Sequence, residues 1–265
     1  MRNLKFTTLC FLFLPLFAVS QSEEVMEAYH LQNAIKKNDI EKVEQKISEG
    51  ADINYQFNGR NALHAACDSK SPEMVQLILD AGVNVNDRRD KGEGITTLQN
   101  AIRNNRVPFE IIEMLLDHGA KVNVVGPQGY TPLQEAIMRS GDQAESLRIA
   151  LLLINHGAEL DPEDESKSAV LRAAMHSRSD MLELFLKNGA DPNKHTKDFK
   201  YPIHYAVSNK DVKSVQLLKQ YKADLNVKDQ AGKTALDYAN DKVGRKFLDP
   251  ESKKKYQAIA DLLSN

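Results

Sequence analysis

Short apolar runs at helical spacing recur along this chain, and glycines follow them at regular intervals. Residues 59–86, GRNALHAACDSKSPEMVQLILDAGVNVN, show the repeating unit in full. Leu63 and the alanines after it give a first helix a small apolar side, and residues 74–79 give a second helix a broad apolar stripe. Gly82 predicts the end of that helix, because glycine enters the left-handed conformation at little cost. Two short helices cannot bury their apolar faces alone, so this unit predicts stacked neighbours.

Two landmarks that keep phase along the chain indicate those neighbours. The first is a glycine followed by Ala or Val, and it recurs in steps of 32, 37, 38 and 32 residues at Gly50, Gly82, Gly119, Gly157 and Gly189. Steps of this size are typical of repeat architectures. The second landmark opens each first helix, as NALH from residue 61, TTLQ from 96, TPLQ from 131, SAVL from 168, YPIH from 201 and TALD from 234.

The combined pattern resembles the ankyrin repeat, in which T-P-L-H-x-A is followed by an apolar helix and then by G-A-D-x-N. Thr131, Pro132 and Leu133 match the first part, and residues 50–54 and 189–193 match the second. The resemblance extends over roughly residues 24–263. It implies an all-α ankyrin-repeat solenoid, built of stacked helix-turn-helix units with short hairpin fingers, with about six repeats and an N-terminal capping helix pair.

The spacing of the two landmarks also divides the chain into segments and shows where the chain departs from the ankyrin pattern. Ser168 stands where Thr is expected and Lys222 replaces a glycine, so looser turns are expected at both. An inserted loop is predicted at residues 242–251, between the last two helices. The segments are a signal peptide at 1–20, an N-terminal capping repeat at 24–54, repeats at 55–86, 87–123 (with a long finger), 124–161 (with an insertion between its helices), 162–193 and 194–226, and a C-terminal capping repeat at 227–265.

The first twenty residues have a different character. A basic start precedes an almost wholly apolar run at residues 9–19, and small residues at 18 and 20 predict a cut ahead of Gln21. This is the pattern of a secretory signal peptide, and the run is too short for a membrane span. Cys10 lacks the small residues that precede a lipoprotein cysteine, so we predict no lipid anchor. We expect an exported protein, periplasmic or secreted.

Composition narrows the classes of partner. The chain carries 35 basic and 37 acidic residues, a formal net charge of −2, which argues against nucleic acid as the main partner. The chain has 2 cysteines, and Cys67 alone remains after the predicted cut, so no disulfide within the chain is expected. A packed thiol is the favoured interpretation of Cys67. We expect a monomer.

The sequence offers no recognisable catalytic or metal-binding pattern. Its 7 histidines show no paired spacing typical of zinc ligands, and we predict neither a metal nor a cofactor. There is no nucleophile elbow and no phosphate-binding glycine loop. His64 and His204 occupy the histidine position of the landmark, where the resemblance implies that the imidazole joins adjacent turns by hydrogen bonds.

Binding is therefore the favoured function. In ankyrin stacks the first helices and the fingers line a concave surface that binds partners. Exposed aromatic and Arg side chains are the usual carriers of interface energy. We predict a non-enzymatic scaffold for another protein; a companion or immunity-type protein that shields one exported enzyme or toxin is the alternative, and an enzyme is the least favoured. The predicted partner-binding residues are Phe57, Arg60, Arg88, Arg89, Tyr130 and Phe199.

Overall fold

Helices make up almost all of the regular structure. A computed structural model describes the backbone of residues 10–90 and 94–264 and the side chains of residues 23–90 and 94–264. Its α-helices are α1 (Cys10–Lys36), α2 (Ile40–Ser48), α3 (Ala62–Ser69), α4 (Pro72–Asp80), α5 (Thr97–Arg103), α6 (Phe109–Asp117), α7 (Pro132–Met138), α8 (Gln143–Asn155), α9 (Ala169–Met175), α10 (Ser179–Lys187), α11 (Pro202–Ser208), α12 (Val212–Gln220), α13 (Ala235–Val243) and α14 (Pro250–Ser264).

The landmark residues start the first helix of each pair by capping it. Thr131 accepts a hydrogen bond from the backbone N–H of Gln134, and the Gln134 side chain accepts one from the N–H of Thr131 at 3.0 Å. This reciprocal arrangement satisfies two N–H groups that the helix itself leaves unpaired. Ser168 makes no such cap; its hydroxyl instead donates to Asp161 at 3.1 Å. The loss of Thr at this landmark therefore removes a capping box from α9.

The second helices end as their glycines predict. Gly82 follows α4 with φ of 84°, in the left-handed region where a side chain would be strained. The same conformation recurs after α12, although Lys222 stands there with φ of 61°. The position is thus kept by the fold even where the sequence does not supply glycine.

The first compact unit, Met1–Gly129, contains α1 to α6. First helices pack in a row, with α3 against α1 and α5, and α4 packs against α6 in a second row. Small residues of the first helices allow close approach, and the second helices supply larger apolar side chains. Fully buried large side chains of this unit include Leu31, Ile35, Leu63, Met74, Ile78, Leu98, Ile102, Ile111, Ile112 and Leu115.

The second compact unit, Tyr130–Asn265, repeats this arrangement with α7 to α14. The first-helix row runs α7, α9, α11, α13, and the second-helix row runs α8, α10, α12, α14. Phe185 on α10 is fully buried at its centre. Residues 140–142 form the turn into α8, where Asp142 caps the helix by accepting from the N–H of Ala144 at 2.8 Å.

Two predicted boundaries are wrong. The first capping helix was expected to begin near Glu24, but α1 begins at Cys10; no Gly or Pro lies between Leu16 and Lys36 to end a helix. The C-terminal inserted loop is shorter than predicted, because α13 continues to Val243 and Pro250 already opens α14. Proline suits the first turn of a helix, where its missing N–H costs nothing.

The predicted signal peptide lies largely outside the described residues. Residues 1–9 are not described, and neither are the side chains of residues 10–22. Lys91, part of the predicted long finger, is also outside them. Within the described residues, no helix combines the length and the apolar character that crossing a membrane requires.

Candidate partner-binding surface

The fingers are the loops that lead from each second helix into the next first helix. In the first unit, Phe57 and Arg60 exchange backbone hydrogen bonds of 2.9 and 3.2 Å across Asn58 and Gly59. Both central residues have positive φ, 51° and 70°, as a tight two-residue hairpin turn requires. The Asn-Gly pair in the sequence is a strong signal for this turn, and it places the Phe57 ring and the Arg60 guanidinium on one finger.

Neighbouring fingers of the first unit are joined by hydrogen bonds. The side-chain amide of Gln56 donates to the carboxylate of Asp87 at 2.8 Å and to the carbonyl of Arg88 at 2.6 Å. The N–H of Asp90 donates to the carbonyl of Gly59 at 3.0 Å. A Cβ on Gly59 would lie 2.1 Å from the Asp90 carboxylate. Close approach of the two fingers, as well as the positive φ, therefore requires glycine at this position.

Two of the predicted arginines converge on one carboxylate. Arg60 forms an ion pair with Asp68 at 2.7 Å, and the Arg89 guanidinium lies 3.7 Å from the same carboxylate. Burial lowers the pKa of Arg89, and repulsion from Arg60 acts in the same direction. Burial, followed by the two guanidiniums, lowers the pKa of His64 to about 4, so this imidazole is neutral near pH 7. Both arginines thus hold the base of the fingers together.

Arg88 and Phe57 also have partners inside the first unit. Arg88 donates to the carbonyl of Gly94 at 2.9 Å and to the carbonyl of Val125 at 2.9 Å. The Phe57 ring meets the ring of Tyr29 edge-on, with centroids 5.7 Å apart. The structure therefore places all four predicted residues of this unit in or beside its fingers and gives each an internal contact.

The second unit holds the remaining two predicted residues. The guanidinium of Arg172 lies 5.6 Å from the centre of the Tyr130 ring, a cation–π distance. Phe199 is 51% exposed at the tip of a finger whose ends are joined by the Thr196 N–H donating to the carbonyl of Lys200 at 3.0 Å. Its φ of 53° is unusual for a bulky residue. Phe199 therefore combines backbone strain with an exposed apolar ring.

The Phe199 ring is the first in a series of neighbouring aromatic and histidine rings. The Phe199 ring stacks on His195 with centroids 5.1 Å apart, and His195 lies 4.9 Å from Tyr201. The series continues from Tyr201 to His204 and then to Tyr238, at 5.9 and 6.1 Å. His204 also accepts from the N–H of Tyr201 at 3.2 Å, and its other ring nitrogen lies 3.2 Å from the carbonyl of Lys233. This histidine joins adjacent turns, as the resemblance implied.

A cleft opens beside this series of rings. It has a volume of about 360 Å³. In the wall of the cleft, the Tyr238 hydroxyl donates a hydrogen bond to the carboxylate of Asp229. Asp229 is buried. The residues that line the cleft are Asp198, Lys200, Asp229, Gln230, Ala231 and Tyr238. Both carboxylates and one lysine face a space large enough for a single side chain of a partner.

The acidic segment before α9 and the basic segment before α11 contact each other. The Glu165 carboxylate lies 3.4 Å from the Lys194 ammonium and 3.4 Å from the His195 ring. Part of the acidic charge before α9 and of the basic charge before α11 is therefore neutralised inside the unit. Asp164 is likewise engaged, because Ser166 and Lys167 stabilise its charged form and lower its pKa.

The described residues show no catalytic arrangement. They contain no group of three or more His, Cys, Asp and Glu side chains placed to hold a metal ion. Cys67 is a fully buried free thiol, and burial raises its pKa, so it is a weak nucleophile. What the surface offers is aromatic rings, charged side chains and shallow clefts, which suit recognition of another molecule.

Comparison with known proteins agrees with the repeat pattern. The family model for ankyrin repeats (3 copies) matches residues 8–89, 31–126, 82–164 and 170–249. The chain belongs to the ankyrin-repeat family. The ankyrin repeat domain of Bcl-3, known from a crystal structure, covers 89% of this chain and 98% of its own length, with a TM-score of 0.71 and 21% identity. The predicted all-α ankyrin-repeat solenoid is thus confirmed.

Sequence relatives in the ankyrin-repeat family match parts of longer proteins. A putative ankyrin repeat protein of Fowlpox virus, FPV031, is 32% identical over 138 residues, which are 51% of this chain and 38% of that protein. The phosphocholine transferase AnkX of Legionella pneumophila is 25% identical over 244 residues, or 83% of this chain and 25% of the transferase. This chain therefore spans well under half of either relative. Ankyrin repeats generally mediate protein–protein interaction, and the fold is typically non-catalytic.

The most exposed large apolar side chain of the described residues is not among the six predicted residues. Phe247, in the loop between α13 and α14, is 97% exposed. Its signal was present as a single apolar ring after Gly244, Arg245 and Lys246, but helical periodicity carries no information about a side chain in an irregular loop. The six predicted residues remain a prediction as partner contacts.

Proposed function

We propose that this ankyrin-repeat protein is an exported, non-enzymatic scaffold that binds another protein through the fingers of its second unit. The observation that carries the proposal is Phe199, an exposed ring held in a strained conformation at a fingertip. Exposure of an apolar side chain to water does not stabilise the fold, and the left-handed backbone conformation costs a bulky residue about 1 kcal/mol or more. Contact with a partner would bury the ring and would explain why the strained conformation is present.

The surroundings of Phe199 fit such a contact. Lys197, Asp198 and Lys200 form an exposed charged rim around the ring, and the cleft lined by Asp198 and Tyr238 lies beside it. Interfaces typically combine a central aromatic anchor with a polar rim. Stacking on His195 limits the rotamers of the ring before binding, which lowers the entropy that a partner must overcome.

The first unit supplies a second patch, and there the predicted residues serve both structure and surface. Arg60, Arg88 and Arg89 hold neighbouring fingers together through Asp68 and backbone carbonyls. We therefore expect their substitution to lower the stability of this unit as well as any binding. The Phe57 ring is half-buried against Tyr29, so it offers a partner less apolar surface than the Phe199 ring does.

The other functions find less support. A companion or immunity-type protein would need a charged surface reserved for its one partner, and Glu165 already pairs with Lys194 inside the second unit. An enzyme would need a site, and the described residues present none. The match to a phosphocholine transferase covers only 25% of that protein, so it bears on the repeats alone. Nucleic acid is disfavoured by the net charge of −2.

Site-specific photo-crosslinking tests the proposal. A photoreactive amino acid is placed at Phe199 in the full chain, and at Leu151 as a matched control. Leu151 is also an exposed apolar side chain of the second unit, at 44%, but it lies on the second helix α8. We expect one protein of the exported fraction to crosslink at position 199 and not at position 151.

Affinity then quantifies the contact. With that protein purified, Phe199→Ala should weaken binding about 30-fold, as expected for a hot-spot aromatic, while Leu151→Ala should leave the Kd nearly unchanged. Equal crosslinking at both positions, or an unchanged Kd for Phe199→Ala, would exclude this finger as the binding surface. Turnover of a substrate by the pure chain would exclude the non-enzymatic function itself.

A further inference from the structure

A second surface of the second unit has a chemistry unlike that of the fingers. It comprises the loop at residues 244–249 and the start of α14, and we call it the basic loop surface. Phe247 at its tip is 97% exposed, the highest value among the exposed large apolar side chains of the described residues. The loop follows the C-terminal end of α13, whereas the last finger precedes the N-terminal end, so the length of α13 separates the two surfaces.

The loop is anchored at both ends, so the exposure of Phe247 is not fraying. Before it, the N–H of Gly244 donates to the carbonyl of Asn240 at 3.0 Å, and that of Arg245 donates to the carbonyl of Lys242 at 3.2 Å. After it, Asp249 accepts from the N–H of Ser252 at 2.8 Å. The fold therefore holds an apolar ring in water between two fixed helix ends.

Four exposed cations flank Phe247 in the loop and at the start of α14. Arg245, Lys246, Lys253 and Lys254 are all exposed, and within the described part of the chain none of them forms an ion pair. Two of the nearby acids are in ion pairs, Asp241 with Lys233 and Glu251 with Lys255 at 2.9 Å. Asp249 caps α14 and keeps its negative charge, which is one charge against the four cations. The basic loop surface thus carries positive charge that this unit does not neutralise.

The lysines of α14 stand where they do not favour the helix. The N-terminal end of a helix carries partial positive charge, so cations in its first turns are electrostatically unfavourable. Lys253 and Lys254 lie in the first turns of α14, while Ser252, Tyr256 and Ile259 form its buried side. Lys254 points away from this buried side at helical spacing. Helix stability therefore does not account for these charges.

We propose that the basic loop surface docks this protein on an anionic lipid membrane, with Phe247 inserted at the level of the headgroups. The geometry favours lipid over a protein partner. Phe247 is one exposed ring on a loop of six residues, next to the half-buried Leu248, whereas a protein interface buries about 800 Å² on each side around a packed centre. Lysines, which are flexible point charges, suit a diffuse negative surface. Membrane-surface binding combines apolar insertion with such attraction.

Fluorescence at one position tests the insertion directly. The chain has no Trp, so the fluorescence of Phe247→Trp in the full chain reports only on the surroundings of position 247. Any membrane contact of the apolar residues near the N terminus would not by itself change this signal. Phe199→Trp is the matched control, because Phe199 is also an exposed ring but lies in the fingers. Circular dichroism confirms that both variants fold. Vesicles contain equal parts of phosphatidylcholine and phosphatidylglycerol, or phosphatidylcholine alone.

The expected result is a blue shift and quenching by brominated lipid for Phe247→Trp with the anionic vesicles only. Phe199→Trp should show neither. Adding Arg245→Gln and Lys246→Gln to the reporter should lower vesicle binding about 25-fold, since each cation near an anionic surface contributes a factor of about 5. High salt should act in the same direction.

Several outcomes would overturn the proposal. Unchanged emission of Phe247→Trp with anionic vesicles excludes insertion, and an equal shift with neutral vesicles excludes the role of the cations. Loss of binding to a purified acidic protein on Phe247→Ala, without any emission change on vesicles, would assign the loop to a protein contact instead. Phe199→Trp serves here only as an emission control, and none of these outcomes depends on whether Phe199 binds a protein, so this proposal and the proposed function fail separately.

Discussion

At the scale of single residues, two histidines at the same landmark position have different surroundings. His204 lies close to the carbonyl of Lys233 in the next turn. His64 is fully buried, with Nδ1 2.7 Å from the side-chain oxygen of Asn61, and Arg60 and Arg89 lie close enough to lower its pKa. One position in the repeat thus yields a joining histidine in one unit and, in the other, a buried histidine that is neutral near pH 7.

We predict that His64 makes stability depend on pH. Its folded-state pKa of about 4 lies below the ordinary value of 6.5, so the unfolded chain takes up this proton first as the pH falls. The free energy of unfolding should therefore decrease from about pH 6.5 downward, by about 2 kcal/mol at about pH 5. Urea unfolding at about pH 7 and about pH 5 measures this loss.

His64→Gln is the comparison for that experiment, because it removes the titrating group. The variant should show a clearly smaller decrease between the two pH values, whatever its stability at neutral pH. His176 and His204, whose pKa values burial also lowers, contribute equally to both proteins. An identical pH dependence in wild type and variant would show that His64 is not the group responsible.

At the scale of secondary-structure elements, helix ends are more constant than the residues that form them. Glycines end α4, α6, α8 and α10 in the left-handed conformation, and Lys222 adopts it after α12. The N–H of Ala223 donates to the carbonyl of Leu218 at 2.9 Å, so α12 closes like its neighbours. Because α12 packs against α11, α10 and α14, the path of the chain after α12 is fixed, and Lys222 adopts the strained left-handed conformation there.

Lys222→Gly should therefore stabilise the protein. Relief of the left-handed conformation is expected to raise the free energy of unfolding by about 1 kcal/mol. Gln216→Gly is the opposite-sign control, because Gln216 is an exposed residue in the middle of α12 and glycine there should cost about 1 kcal/mol. Chemical unfolding of the two variants measures both effects. A loss of stability for Lys222→Gly would mean that its side chain makes a contact worth more than the strain.

At the scale of the whole molecule, the proposed export requires a fold that is stable without disulfides. Each compact unit is built from helix pairs that contact their neighbours in the stack, and Cys67 is buried as a free thiol. Such stacking stabilises a protein without disulfides, through a sum of neighbour contacts. The capping helix α1 runs continuously from Cys10, so the predicted cut ahead of Gln21 would fall within it.

We predict that the exported protein begins at Gln21. Signal peptidase requires small residues just before the cut, and Ser20 occupies the last of these positions. Mass spectrometry of the exported fraction should identify Gln21 as the N terminus. Ser20→Leu should block processing, whereas Ser22→Leu, the same change two positions on, should not. An exported chain that still begins at Met1 would contradict the signal-peptide assignment.

The candidate surface was only partly predictable from sequence. The spacing of the landmarks located the fingers and the six residues on them. This was possible because a helix cap and the loop before it depend on residues only a few positions apart. The same spacing could not show that Arg88 reaches the carbonyl of Val125, which lies 37 positions away, or that Glu165 pairs with Lys194, 29 positions away. These partners belong to a neighbouring repeat, and which side chains meet depends on how the repeats pack.

The sequence by itself determined the helix pairs, their caps and glycine ends, and the ankyrin-repeat family. These features depend on interactions over a few residues and on a period that survives substitution at any one landmark. Only the tertiary structure decided how exposed each surface side chain is. Arg60 and Arg89 share Asp68, while Phe199 and Phe247 remain in water. Exposure is set by neighbours about one repeat away, and local periodicity does not encode their positions.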